Sequence, residues 1–219
     1  ITGEATSNSF SISLVAGDFN ADGKTDLAAG AHAYSSSLGR AYIFYNDGSI
    51  PTTAATADVI INGETGSTGF GFRLFSGDIN NDNQIDFIAG STNYANATVG
   101  GRAYIFYSHN GVVNTNISLT GGATNNYFSA DLKTGDFNSD GETDLAVGAD
   151  GYTGDTGRVY LFYNKGSFPT TTASADVTID GATTGEQFGS TLGAGDFNSD
   201  GTTDLAVGAV SYDSPTSGV

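Results

Sequence analysis

The 219-residue chain has no cysteine and no methionine, and it has only seven lysines and arginines. Without cysteine it has neither a disulfide framework nor a thiolate site. The missing methionine leads to the expectation that the N-terminus has been removed by processing or truncation. The residues present contain no signal peptide and no apolar run long enough to span a membrane. Positive charge is scarce and nowhere clustered, which argues against nucleic acid as a partner and against insertion at an anionic membrane. There is no nucleophile elbow, zinc motif or phosphate loop, and the two histidines, His32 and His109, fall at non-equivalent places. They are read as surface residues and the chain as non-enzymatic.

What is present is acid, glycine and repetition. Hydrophobic residues make up 38% of the chain, enough for a sizeable core, while the formal net charge is −17. Twelve of the 24 acids stand at the recurrent positions of four copies of one loop. In each copy an oxygen-bearing side chain stands at every second position: Asp18, Asn20, Asp22; Asp78, Asn80, Asp82; Asp136, Asn138, Asp140; and Asp196, Asn198, Asp200. A further carboxylate closes each copy at Asp26, Asp86, Asp144 or Asp204.

This spacing resembles the first half of a calcium loop, where alternate side chains turn inward and the sixth residue makes a sharp turn. Gly23, Gly141 and Gly201 fill that sixth place, and Asn83, which tolerates left-handed backbone angles, fills it in the second copy. The closing acid comes at position nine and the flanks read as strands, so a helix-loop-helix reading is poor. Asp-Asn-Asp-Gly also makes tight turns without any metal. Four copies with the same acid spacing nevertheless crowd like charges that a cation would neutralise. Four divalent ions would bring the net charge to about −9.

The opening aspartates recur about every 60 residues. Phe10, Phe70, Phe128 and Phe188 precede them by a constant interval, as do Leu14, Leu74, Leu132 and Leu192. Gly39 to Tyr45, Gly101 to Tyr107 and Gly157 to Tyr163 share a Gly-Arg-Ala/Val-Tyr-Ile/Leu-Phe-Tyr pattern.

One repeat reads as four strands. Ser11 to Gly17 has a period-two pattern, Leu27 to Ala31 is short and built of small residues, Gly39 to Tyr45 is apolar on both faces, and the last strand lies around Asp58 to Asn62. No stretch has helical periodicity. Four short strands per repeat, each sheet covered on both faces by its neighbours, predicts an all-β protein, a β-propeller of four-stranded blades with a metal-binding hairpin loop in each. The repeats span about 4–63, 64–121, 122–181 and, incomplete, 182–219, which makes three full blades and part of a fourth. The recurrent aromatics Tyr42, Phe44 and Tyr45 and their counterparts are expected in the core between blades rather than on a sugar-binding platform. Arg40, Arg102 and Arg158 are expected to bond between strands or to loop acids.

Phe70-Gly71 and Phe188-Gly189, the acidic loop, and Gly30-Ala31, Gly148-Ala149 and Gly208-Ala209 together resemble the FG-GAP repeat of integrin alpha subunits. The resemblance covers nearly the whole chain. It implies a β-propeller with Ca2+ in its hairpin loops and with partners bound by loops on the opposite face. The implied ligands are the first, third, fifth and ninth residues of each loop, with the backbone carbonyl of the seventh: Lys24, Gln84, Glu142 or Thr202. The chain departs from the family where proline should follow Gly-Ala and His32, Asp150 or Val210 stands instead. It departs again at Gly90-Ser91, Phe10-Ser11 and Phe128-Ser129.

The expected function is that of a calcium-stabilised extracellular or cell-surface binding module. It would offer the loops Ala33 to Leu38, Asn93 to Gly100 and Asp150 to Thr156 to a protein or glycan. The alternative is a structural subunit of a surface filament or layer, self-associating through open blade edges that a neighbouring chain completes. Asn96 and Asn116 head N-x-[ST] sequons, which are weak evidence in a chain rich in asparagine and threonine.

Overall fold

Period-two segments separated by tight acidic hairpins pair with their sequence neighbours, and the sheets they build are antiparallel throughout. The computed structural model describes residues 1–94, 100–109, 112–122 and 126–211. Blade one runs inner to outer through Phe10–Gly17, Asp26–Ala31, Arg40–Phe44 and Val59–Asn62. Blade two comprises Arg73–Gly77, Asp86–Ser91, Arg102–His109 and Val112–Thr120. Blade three comprises Phe128–Gly135, Asp144–Ala149, Arg158–Phe162 and Val177–Asp180. A fourth, two-stranded sheet pairs Phe188–Gly195 with Asp204–Ala209. In blade one the expected strands lie within a residue of those observed.

The blades stack face to face; the aromatics of blades two and three lie in the layers between them, while Tyr42 and Phe44 pack on the far face of blade one with Ala29, Ala31 and Ala54. Tyr42, Phe44, Tyr104, Phe106, Tyr160 and Phe162 are all buried, as core packing requires. The phenylalanine that opens each complete blade meets the tyrosine of its own third strand edge to face: Phe10 on Tyr42, Phe70 on Tyr104, and Phe128 on Tyr160. Ile88, Ile105 and Leu119 of blade two pack against Leu132, Leu145, Val147 and Phe162 of blade three. Ala28, Ala41 and Ile43 of blade one meet Leu74, Phe87 and Ala89 of blade two in the same way.

The family glycines touch one another across these layers. A Cβ on Gly30 would collide with the carbonyl oxygen of Gly71, and one on Gly148 with that of Gly189. Where serine replaces the glycine after phenylalanine, Ser11 and Ser129 hold φ of 65° and 73°, a left-handed backbone that costs a non-glycine residue energy. The Ser129 hydroxyl recovers part of that cost by donating to the Arg102 carbonyl at 2.9 Å.

Inner strands are also tied by side chains three residues after the phenylalanine. Ser13 Oγ accepts from the Leu74 amide (3.0 Å), Arg73 Nε donates to the Ala130 carbonyl (2.9 Å), and Asp131 Oδ2 accepts from the Leu192 amide (2.8 Å). The third-strand arginines bond to acids and amides as expected: Arg40 to Asn62 and Glu4, Arg102 to Glu64, and Arg158 to Asp180.

The structure departs from expectation in several places. Ile12 and Leu14, the apolar set of the first inner strand, are 47% and 54% exposed, whereas Leu74, Leu132 and Leu192 are buried. Those three pack against a preceding blade, whereas the cover on that face of blade one, Ala54 with Phe10, Tyr34 and Ala57, buries Ala29, Ala31, Tyr42 and Phe44 and leaves Ile12 and Leu14 open. Tyr34–Ser37 and Tyr152–Asp155 form short helical turns where only polar loop was expected, with left-handed Ser35, Ser36 and Thr153 inside them. His32 is not a surface residue: it is half-buried with its ring edge-on to Phe72 at 5.3 Å. His109 ends a strand, and its side chain is outside what is described. Asn96 and most of the Asn93 to Gly100 loop also lie outside the described residues, and so do the side chain of Asn116 and the chain's end at Gly218-Val219.

Candidate metal centre

Each acidic loop joins the inner strand of a blade to its second strand, and all four loops fold alike. The first aspartate accepts from the amides of positions five and six. Asp22 and Gly23 donate to Asp18 at 3.0 and 2.8 Å, Asp82 and Asn83 to Asp78 at 3.0 and 2.8 Å. The corresponding bonds to Asp136 and Asp196 run from 2.9 to 3.1 Å. Asn20, Asn80, Asn138 and Asn198 accept from the position-five amide through Oδ1. The fifth-position aspartates accept from the amides of Lys24, Gln84, Glu142 and Thr202.

The sixth residue takes the left-handed turn in every copy, with φ of 82°, 64°, 87° and 87° at Gly23, Asn83, Gly141 and Gly201. Asparagine therefore substitutes for glycine there as its tolerance predicts. The fourth residue is left-handed as well, at Ala21, Asn81, Ser139 and Ser199. The residue types at that position, alanine among them, carry no signal of this.

The closing aspartate differs from the other acids. Asp26, Asp86 and Asp144 are at most 1% exposed. One oxygen of each accepts from the second loop residue, the amides of Phe19, Ile79 and Phe137, all at 2.9 Å. The other accepts from the end of the third strand, the amides of Asn46 (2.7 Å), Ser108 (2.8 Å) and Asn164 (2.9 Å). The ninth carboxylate thus fastens loop to blade. In the fourth loop Asp204 holds Phe197 by the same first bond.

The electrostatics follow from this crowding. Burial pushes Asp86 up to about 6, and the charges on Asp82 and Asp78 push the same way against the two amide bonds. Asp144 is raised for the same reason, burial first, with Asp140 and Asp136 adding to it. Asp22 is held low by the Lys24 amide and ammonium, and Asp200 by the Thr202 hydroxyl and amide.

Among the described residues no group of three or more His, Cys, Asp or Glu side chains stands assembled to hold a metal ion. The carboxylates face the loop's own amides instead. Each carboxylate oxygen keeps lone-pair capacity beyond one such bond. The donors are all hard oxygens under mutual repulsion, a set that suits a divalent cation such as calcium.

Neighbouring loops also touch. Asn81 donates to the Gly141 carbonyl (3.1 Å) and Glu142 Oε2 (2.9 Å), and its Oδ1 accepts from the Thr143 hydroxyl (2.8 Å).

Four-stranded blades stacked in sequence, each with the same acidic hairpin, and Phe-Gly meeting Gly-Ala in two layers, with Phe128-Ser129 meeting Gly90-Ser91 in the layer between them, define the class. The chain belongs to the FG-GAP repeat family, whose model matches residues 10–44, 130–162 and 188–218. It is similar to Integrin alpha-PS5 of Drosophila melanogaster, 33% identical over 64% of this chain and 14% of that one. It is also similar to Integrin alpha-6 of Gallus gallus, 31% identical over 72% of this chain and 15% of that one. Phosphatidylinositol-glycan-specific phospholipase D of Rattus norvegicus is 42% identical over 38% of this chain and 11% of its own length. The chain therefore spans a small part, 11 to 15%, of these relatives.

Proposed function

We propose that the chain is a non-enzymatic binding or adhesion module of an extracellular or cell-surface protein, stabilised by Ca2+ in its acidic loops. The observation that carries this reading is the fourfold recurrence of one loop geometry, with aspartate at positions one, five and nine and asparagine at position three of a single hairpin. The ion would be held by Asp18, Asn20, Asp22 and Asp26 with the Lys24 carbonyl, and by the matching residues of the other three loops. When bound, the ion supplies charge neutralisation and cross-bridging. The protein's own residues do the rest, the ninth aspartate fixing the loop to the third strand. Similarity to integrin alpha subunits supports an adhesive role, and the phospholipase shares too little of the chain to support catalysis.

Calorimetric titration of the chelated protein tests the calcium reading. Heat of binding for several calcium equivalents is expected, and its absence at millimolar calcium would refute the reading. The exposed Ile12 and Leu14 favour a second reading, a chain whose first blade is covered by a neighbouring subunit. A solution mass above the monomer, dependent on calcium, would support assembly.

A further inference from the structure

At the opposite ends of the strands from the acidic loops, the blades converge on a cavity of about 830 Å³. Each repeat contributes to its wall the residue that follows the second strand: His32, Thr92, Asp150 and Val210. Apart from the edge-on contact of His32 with Phe72, these positions, three of which stand where the family proline is missing, have no role in the fold described above.

Two buried polar atoms in this wall have no hydrogen-bond partner, Nδ1 of His32 and Oδ1 of Asp150. Unpaired buried polar atoms are rare and costly, and two of them beside one cavity mark His32 and Asp150 as polar side chains whose hydrogen-bonding capacity the protein itself does not meet. Burial keeps His32 below the usual histidine range, so that the ring is neutral at physiological pH, and it raises Asp150.

Arg73 also lines the cavity, but its guanidinium is engaged, with Nε on the Ala130 carbonyl and the group 4.7 Å over the Phe72 ring. One cation and one carboxylate leave the wall nearly neutral overall. A cationic ligand would satisfy Asp150 and be repelled by Arg73, and an anionic ligand would meet the reverse. A hydroxyl both donates and accepts, so it serves Asp150 and either tautomer of His32. Hydroxyls of Ser190 and Thr191 and the ring of Tyr127 add the mixed polar and aromatic lining that a polyol presents its edges and faces to.

We propose that this cavity binds a neutral saccharide, one sugar hydroxyl donating to Asp150 and a second exchanging a hydrogen bond with His32. The assignment rests on the reading of the chain as a binding module and is independent of its calcium. The volume lies in the range of pockets that enclose small ligands.

The test is saturation-transfer NMR on the whole chain, in calcium and in chelator. The probes are free glucose, galactose, mannose, N-acetylglucosamine and their disaccharides, with lysine amide and inorganic phosphate as charged controls. At least one neutral sugar is expected to bind, with affinity lowered at least ~10-fold in Asp150→Ala and in His32→Ala. Thr92→Trp, which fills the cavity from a different blade, is expected to abolish binding even if one of the alanine variants fails to fold. Silence from every sugar, binding unchanged in these variants, or preference for lysine amide or phosphate would each overturn the proposal. Sugar binding that persists in chelator while calcium has no effect on the fold would leave this assignment standing and remove the calcium reading alone.

Discussion

At the residue scale, the glycines and the buried acids each make a distinct prediction. Gly30 and Gly148 lie against carbonyl oxygens of the next sheet, and the blades have to separate to admit a methyl group. Gly30→Ala or Gly148→Ala is expected to destabilise by about 1–3 kcal/mol. Gly193→Ala, whose Cβ would come no nearer than 3.7 Å to another atom, should leave the urea midpoint unchanged or raise it. Equal midpoints for all three would contradict the layer contact. The acids separate in the same manner. Asp86 bonds the Ile79 and Ser108 amides from a buried position, so Asp86→Ala is expected to lower the melting temperature in chelator as well as in calcium. Asp82→Ala, at a partly exposed loop position, should matter chiefly when calcium is present. His32 gives the pH dependence. Because the fold holds it below its ordinary value, the unfolded chain takes up a proton as pH falls through about 6.5 and the folded chain does not. Stability from the neutral ring is therefore full above that pH and is lost as pH falls toward the folded value. Wild type should lose more melting temperature between about pH 7.5 and 5.5 than His32→Asn, and parallel curves would remove the effect.

At the element scale, the blade was legible because it recurs. One copy of Asp26 to Ala31 is too short and too poor in large side chains to read as a strand. Four copies beside an invariant acidic hairpin leave few alternatives, and the strand ends fell within a residue of those expected in blade one. What periodicity does not carry is which face of a sheet another sheet covers. Leu14 and Leu74 hold the same place in their repeats, yet one is exposed and the other buried. Nor do residue types disclose where a carboxylate points. The ninth aspartate's grip on Asn46, Ser108 or Asn164 spans about twenty residues of sequence and emerges only when the third strand closes on the second. The cavity at the opposite strand ends was hidden for the same reason, since His32, Thr92, Asp150 and Val210 lie far apart in the chain and line it only when the blades converge. The contact between loops two and three predicts coupling between elements. Serine occupies the place of Asn81 in loops three and four at similar φ, so Asn81→Ser keeps the backbone and removes the reach to Gly141 and Glu142. The expected loss is about 1 kcal/mol in chelator. Independent, unaltered binding of calcium by loop three in that variant would show that the contact transmits nothing.

At the scale of the whole molecule, the blades form a series in which each sheet is stabilised by its neighbours, so a cation that steadies one hairpin steadies the layers on either side. Metal binding and folding are then linked, and the size of the effect can be estimated. The asparagine at position three lowers the charge of each loop, which places the expected affinity with extracellular calcium modules, Kd about 10⁻⁴ to 10⁻³ M. At about 1 mM calcium such a site contributes RT ln(1 + [L]/Kd), about 0.4 to 1.4 kcal/mol. Four independent loops would together contribute about 2 to 6 kcal/mol, which for a chain of this length raises the melting temperature by about 4 to 24 °C. Magnesium, which demands near-octahedral geometry and releases its waters reluctantly, should give a smaller rise at equal concentration. Asp140→Ala, which disables one loop, should remove roughly a quarter of the increment if the loops act independently, and more if the contact at Asn81 couples them. Calorimetric scans in chelator, calcium and magnesium distinguish these outcomes. A melting curve that does not move between chelator and millimolar calcium would mean that the amide bonds to the loop carboxylates are sufficient to hold the hairpins, and that the fourfold acidic pattern is turn chemistry alone.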